Sequence, residues 1–171
     1  MKENANLVFV LGGARSGKSV YAEGLITLYE PQWVYLATAQ AFDEEMQERI
    51  ALHQARRKDG WQTVEAPHDL SKAICEAPNK SPLLIDCLGV WVSNRLMHGA
   101  DLAADRVDLC AALSVRQAPT VVVSPEVGLS IVPENPLARA FRDAAGQLHQ
   151  DVARIAKSVR FIVAGYPVIV K

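Results

Sequence analysis

Eight residues, Gly12–Ser19 (GGARSGKS), carry the spacing G-x-x-x-x-G-K-S directly after the apolar run LVFVL. That spacing suits a polyphosphate. Gly12 and Gly17 let the backbone turn tightly and approach phosphate oxygens with no Cβ in the way. The successive N–H groups and the N-terminus of a following helix make a partly positive cradle. Lys18 can reach the β- and γ-phosphates, and the Ser19 hydroxyl can ligate Mg²⁺. The competing reading is a Gly-rich turn joining a strand to a helix. The apolar run before the motif and the helix-like stretch after it favour nucleotide binding.

A magnesium site needs a carboxylate at the end of a neighbouring apolar strand. PLLIDC places Asp86 there. Ser19 and Asp86 suit a hard cation with oxygen ligands, while a strand-end aspartate capping the next helix is the alternative. VVVSPEVG places Glu126 at a third strand end, as an acid/base or metal-shell candidate or as a plain turn residue. In DEEMQERIALHQARR, Met46, Ile50 and His53 fall at spacings that share a helix face. Arg49, Arg56 and Arg57 surround the histidine in sequence. Guanidinium groups bind phosphate in bidentate fashion, and nearby cations favour a neutral imidazole. Neutral imidazole is a nucleophile, so His53 beside a triphosphate could attack phosphorus. A lone helical histidine in an ordinary half-buried setting is the alternative.

The elements that must position these groups follow from apolar runs. Buried strands are expected at Leu7–Leu11, Trp33–Ala37, Leu83–Asp86, Thr120–Ser124 and Phe161–Ala164. A short strand at Trp61–Glu65 and a last one within Tyr166–Lys171 would complete the set. Helices are expected at Lys18–Tyr29, Asp43–Arg57, Asp69–Glu76, Val90–Met97, Ala103–Val115 and Asn135–Lys157. This alternation reads as an α/β chain with a mostly parallel sheet and helices on both faces. The 171 residues suit one domain, 1–171. Net charge is −1 and charged residues are 22%, which argues against a polybasic nucleic-acid surface. No apolar run reaches the roughly 20 residues of a membrane helix. Cys75, Cys87 and Cys110 are widely spaced and odd in number, which reads as free thiols in a reducing cytoplasm.

The loop GGARSGKS, the strand end ATAQ, the RIALH helix, WQTVEAP, LLIDCLGVWVSN and EVGLSIVPENPLARAFRDAAGQLHQ occur in one order. In that order they resemble the adenosylcobinamide kinase / adenosylcobinamide-phosphate guanylyltransferase family, from Leu7 to Lys171. The resemblance implies a P-loop NTPase fold with a RecA-like sheet and a homotrimer. It implies phosphorylation of adenosylcobinamide by ATP or GTP, then GMP transfer from GTP through a guanylylated histidine, which the R-I-x-x-H motif places at His53. It implies nucleotide contacts from Gly12, Gly13, Ala14, Arg15, Ser16, Gly17, Lys18 and Ser19. Further contacts are implied from Thr38, Ala39, Gln40, Gln54, Ala55, Arg56, Arg57, Glu65 and Asp86. Mg²⁺ would sit on Ser19 and Asp86. The chain departs from the family at Ser124-Pro125, where relatives commonly carry Thr-Asn, and a proline there removes a backbone donor. His68, His98 and His149 match no nucleophile motif. A plain small-molecule kinase would leave His53 idle. A RecA-type assembly module binding partners or single strands would call for basic and aromatic loops, against a near-neutral charge and 6% aromatics.

Overall fold

The computed structural model describes residues 3–40, 44, 47, 48, 51, 55, 57 and 59–171. Among the described residues seven strands alternate with helices: β1 (Asn4–Gly12), α1 (Lys18–Ile26), β2 (Trp33–Ala37), β3 (Trp61–Glu65), α2 (Leu70–Glu76) and β4 (Leu83–Asp86). Then come α3 (Leu88–Met97), α4 (Leu102–Val115), β5 (Thr120–Pro125), α5 (Pro136–Ile155), β6 (Ala156–Val163) and β7 (Tyr166–Ile169). They form one sheet in the order β3-β2-β4-β5-β1-β6-β7. Every neighbouring pair is parallel except β6–β7. Glu44, Gln47, Glu48, Ala51 and Ala55 are helical within the expected span Asp43–Arg57. His53, Gln54, Arg56, Met46, Ile50 and Arg49 lie outside the described residues.

The inner strands β2, β4 and β5 and the run Leu7–Leu11 of β1 are mostly apolar because both of their faces are covered. On one face Leu7, Phe9, Val34, Leu36, Leu83, Ile85, Val122 and Val159 pack under α2–α5. Those helices contribute Ile74, Trp91, Leu109, Leu113, Leu148 and Val152 among others. On the other face Val10, Tyr35, Leu84, Val121, Val123 and Ile162 meet Ala22 and Ile26 of α1. Each fully buried large aliphatic side chain is worth about 1.5–3 kcal/mol. In α5 the buried residues Ala145, Leu148, Val152 and Ile155 recur at three- and four-residue steps. Asn135 caps that helix, its Oδ1 accepting from Leu137 N–H at 2.8 Å with Pro136 in the first turn.

The expected helix Asn135–Lys157 ends two residues early. Ala156 and Lys157 are good helix formers, yet they open β6, where Ala156 pairs with Asn4 of β1. Long-range pairing prevails there over local propensity. At the start of the sheet, the buried Arg116 guanidinium donates to Ala77 O (3.2 Å), Pro78 O (3.0 Å) and Ser81 O (2.5 Å). Asn4 Nδ2 donates to Leu113 O and Arg116 O at 2.7 and 2.8 Å. These bonds fasten the end of the sheet remote from the motifs.

Candidate nucleotide site

Register puts the strand ends level. Ala37 stands beside Asp86 and Glu65, and Gly12 stands beside Pro125. Gly12–Ser19, Thr38–Gln40, Glu65, Asp86 and Glu126 therefore lie along one edge of the sheet, the edge where open α/β sheets bind ligands. β5 separates the strand that feeds the phosphate loop from the one that ends in Asp86.

The loop is shaped by its own contacts. A Cβ on Gly12 would lie 2.5 Å from Ser16 Oγ, so the first glycine is required by the fold of the loop itself. Gly17 has φ 93 and Arg15 φ 54, the left-handed region that suits glycine. Lys18 Nζ donates to Gly13 O at 3.1 Å, which holds the ammonium over the loop. α1 begins at Lys18 after Gly17 with no side-chain cap, leaving its first amides turned to the cradle. Gly13 and Ser16 to Ser19 are half-buried, and Ala14 and Arg15 are exposed.

Asp86 is half-buried, and its Oδ2 is buried with no hydrogen-bond partner. An unsatisfied buried carboxylate oxygen is costly, and a hard cation would satisfy it. Among the described residues no group of three or more His, Cys, Asp or Glu could hold a metal ion. A magnesium ion here would draw on Asp86, Ser19, phosphate oxygens and water, the usual sharing for that ion. The pair Ser19 and Asp86 thus fits the group.

Thr38 is fully buried. Its Oγ1 donates to Cys87 O at 2.8 Å and accepts from Cys87 N–H at 2.9 Å. Asn94 Nδ2 holds Thr38 O (2.9 Å) and Pro67 O (3.0 Å). Thr38 thus ties the end of β2 to the residue that follows Asp86. Gln40 Oε1 is buried with no hydrogen-bond partner. Ala39 is half-buried, while Glu65 and Ala55 are exposed. The Arg57 guanidinium carbon stands 3.6 Å from the centre of the Tyr35 ring.

Burial pushes the Tyr35 phenol well above its ordinary range; the Asp86 carboxylate adds to this and the Arg57 charge opposes it. Burial, then the same carboxylate, pushes the Cys87 thiol up to about 12. Both groups stay protonated at neutral pH, which removes them as nucleophiles. Sequence pattern marks Cys87 only as a free thiol and does not mark Tyr35. The available signal was a tyrosine in a doubly buried strand, whose hydroxyl needs a polar neighbour.

Glu126 serves as a turn residue. Its Oε1 and Oε2 accept from Gly128 N–H (2.7 Å) and Leu129 N–H (3.1 Å). Ser124, fully buried, bonds to His149 Nε2 at 2.7 Å, so His149 is a packing residue with a partner. Burial lowers His149 to about 4, and Glu126 opposes the shift. His68 and His98 rings meet edge to face at 4.3 Å. Pro125 loses nothing by its missing N–H. Glu126 N–H donates to Gly12 O at 3.0 Å, so by strand alternation the position before it faces β4, whose pairing with β5 ended at Asp86–Val123. The proline ring instead fills space above Gly89, where a Cβ would lie 2.5 Å from Pro125 Cδ.

Comparison with known proteins gives the fold and the family. A solved protein of Pyrococcus horikoshii OT3 shares the fold with a TM-score of 0.56 at 8% identity, covering 99% of this chain and 87% of that one. The bifunctional adenosylcobalamin biosynthesis protein CobP of Pseudomonas aeruginosa is 42% identical over 95% of each chain. The bifunctional adenosylcobalamin biosynthesis protein CobU of Escherichia coli K12 is 39% identical, over 96% of this chain and 99% of its own. Residues 8–170 match the profile of cobinamide kinase / cobinamide phosphate guanyltransferase. The mostly parallel sheet and the near full-length similarity agree, and the chain belongs to the cobinamide kinase / cobinamide phosphate guanyltransferase family.

Proposed function

We propose that this chain phosphorylates the aminopropanol hydroxyl of adenosylcobinamide with ATP or GTP, then transfers GMP from GTP to the new phosphate. The observation that carries this reading is the Gly12–Ser19 loop on the same sheet edge as the unsatisfied Asp86 oxygen, in a chain whose family match spans residues 8–170. In the kinase half, the amides of Gly13–Ser19 and the Lys18 ammonium hold the polyphosphate and stabilise charge on the phosphoryl in flight. Ser19 and Asp86 would hold Mg²⁺, which when bound neutralises charge on the phosphate oxygens. In the guanylyl half, a His53 ring nitrogen attacks the α-phosphorus. The bond from that phosphorus to the bridging oxygen breaks, and pyrophosphate leaves against Lys18. An oxygen of cobinamide phosphate then attacks the same phosphorus and the imidazole departs. Thr38–Gln40, Gln54–Arg57 and Glu65 would surround the nucleotide.

The same proposal includes one domain over 1–171, a homotrimer and a cytoplasmic location. Exposed apolar side chains on the outer strand β7, Tyr166, Val168 and Ile169, support assembly. Three free cysteines support a reducing compartment. Among the described residues no helix is long and apolar enough to cross a membrane.

The test is incubation with Mg²⁺ and GTP radiolabelled at the α-phosphate, followed by denaturing electrophoresis with acid and alkali treatment. An acid-labile, alkali-stable label absent from His53→Ala is expected. A chain that binds GTP and phosphorylates cobinamide but takes up no label is a kinase alone.

A further inference from the structure

The strand that follows β1 in the sheet order is β6, and its register with β1 has a local consequence. Gly12, the last residue of β1, stands opposite Ile162. β6 runs one residue further, to Val163, which pairs with Tyr166 of β7. Between them Ala164 (φ 50) and Gly165 (φ 88) make a two-residue turn with both central φ values positive, the form that matches strand twist. The tip of this hairpin therefore overhangs the sheet edge where the chain leaves β1 for the phosphate loop.

Three contacts join the two. Gly165 N–H donates to Ser16 O at 2.8 Å. A Cβ built on Gly17 would lie 3.2 Å from Gly165 Cα, and one built on Gly12 would lie 2.9 Å from Ile162 O. The backbone of β6 thus leaves no room for a Cβ at Gly12, and the hairpin tip packs closely against Gly17.

The hydrogen bond decides which way one peptide faces. Ser16 C=O and Gly17 N–H belong to the same planar trans peptide, so they point in opposite directions. Holding the Ser16 carbonyl outward on Gly165 turns the Gly17 N–H the other way, into the cradle. Glycine at 17 makes the reverse orientation sterically accessible, and that orientation would aim a carbonyl oxygen at a phosphate. Nothing inside the loop prevents it: the loop's own bonds, Ser16 N–H and Lys18 Nζ to Gly13 O, leave the Ser16–Gly17 peptide untouched.

We propose that the β6–β7 hairpin is part of the phosphate site and that Gly165 is a positioning residue, holding the Ser16–Gly17 peptide so that its N–H faces the nucleotide. This rests on the reading of Gly12–Ser19 as the nucleotide loop. The ligand class it serves is one with a β-phosphate, so it acts on GTP and ATP and is indifferent to GMP.

The test measures GTP and GMP binding by calorimetry, with thermal melting, for wild type, Gly165→Val and Gly165→Asn. Valine is disfavoured at positive φ and displaces the tip; asparagine tolerates that region and keeps the N–H. GTP binding is expected to weaken at least tenfold in Gly165→Val, about 1.4 kcal/mol. GMP binding should hold within twofold, and Gly165→Asn should recover most of the loss. Equal weakening of both ligands, tracking a fall in melting temperature, would overturn the proposal, as would unchanged GTP binding. Nuclear magnetic resonance of the wild type is independent of any variant. The Gly17 and Gly165 amide signals should both move on adding inorganic pyrophosphate, and a Gly165 signal that stays fixed while Gly17 moves refutes the coupling. A wild type that binds neither GTP nor pyrophosphate would instead remove the nucleotide reading itself.

Discussion

Thr38→Val isolates the bond that fixes the end of β2 to the residue after Asp86. Valine keeps the shape and removes the hydroxyl, so packing changes little. Two partners are affected unequally. Cys87 O retains a second donor, the Trp91 N–H at 3.3 Å, and loses only the net worth of one bond, roughly 1 kcal/mol. Cys87 N–H donates to the Thr38 hydroxyl at 2.9 Å and is left facing a methyl group, at roughly 1–3 kcal/mol. The sum is about 2–4 kcal/mol. With an unfolding entropy of about 2.1 cal/mol/K per residue and 171 residues, that lowers the melting temperature by about 6–11 °C. Thr38→Ser, which keeps the hydroxyl, should lose much less. Thermal unfolding followed by circular dichroism, with urea titration for the free energy, reads both. Cobinamide phosphorylation should also fall in Thr38→Val, because Cys87 carries Asp86 with it, and should return in Thr38→Ser. A Thr38→Val protein that melts with the wild type would falsify the assignment of these bonds as structural.

Other expectations concern the scaffold. Arg116→Met removes the bonds donated to Ala77 O, Pro78 O and Ser81 O, of which Pro78 O keeps the Ser81 N–H at 3.1 Å, while relieving a charge whose burial already lowers the guanidinium pKa; a net loss of roughly 2–3 kcal/mol in urea is expected, with nucleotide affinity unchanged in the folded protein. His149 is neutral in the fold, lowered from 6.5 to about 4 by burial. The unfolded chain binds a proton there between those values and the native one does not, so stability is fully present above about pH 6.5 and is lost as pH falls toward 4, by at most about 1.4 kcal/mol per unit. Urea midpoints taken across this range should slope less in His149→Phe than in the wild type.

The strands are legible in the sequence because each rests on local pattern. LVFVL before GGARSGKS, and LLID before Cys87, are short apolar runs that only a doubly covered strand uses well. Trp61–Glu65 and Tyr166–Ile169, read as optional strands, are both in the sheet. What stayed hidden depends on distant partners. Ala156 and Lys157 look helical until Asn4 stands beside them. Nothing near Ser124 in sequence announces His149, and Arg57 gives no sign that it lies over Tyr35. Glu126 looks like chemistry at a strand end and turns out to hold its own turn. The resemblance adds what the residues leave open, the corrinoid substrate and the GMP transfer it implies for His53, whose side chain lies outside the described residues.

The Pro125 ring lying over Gly89 carries an implication for how this sequence can change. The two positions are epistatic. Proline at 125 is neutral only on a background that already has glycine at 89, since any Cβ there occupies the ring's space. A lineage would have to acquire the glycine first and the proline second, and lose them in the opposite order. Once both are present, position 89 is closed to alanine by the proline ring alone, and a scan of single substitutions would report it as essential. Restoring asparagine at 125 should reopen position 89 to small side chains.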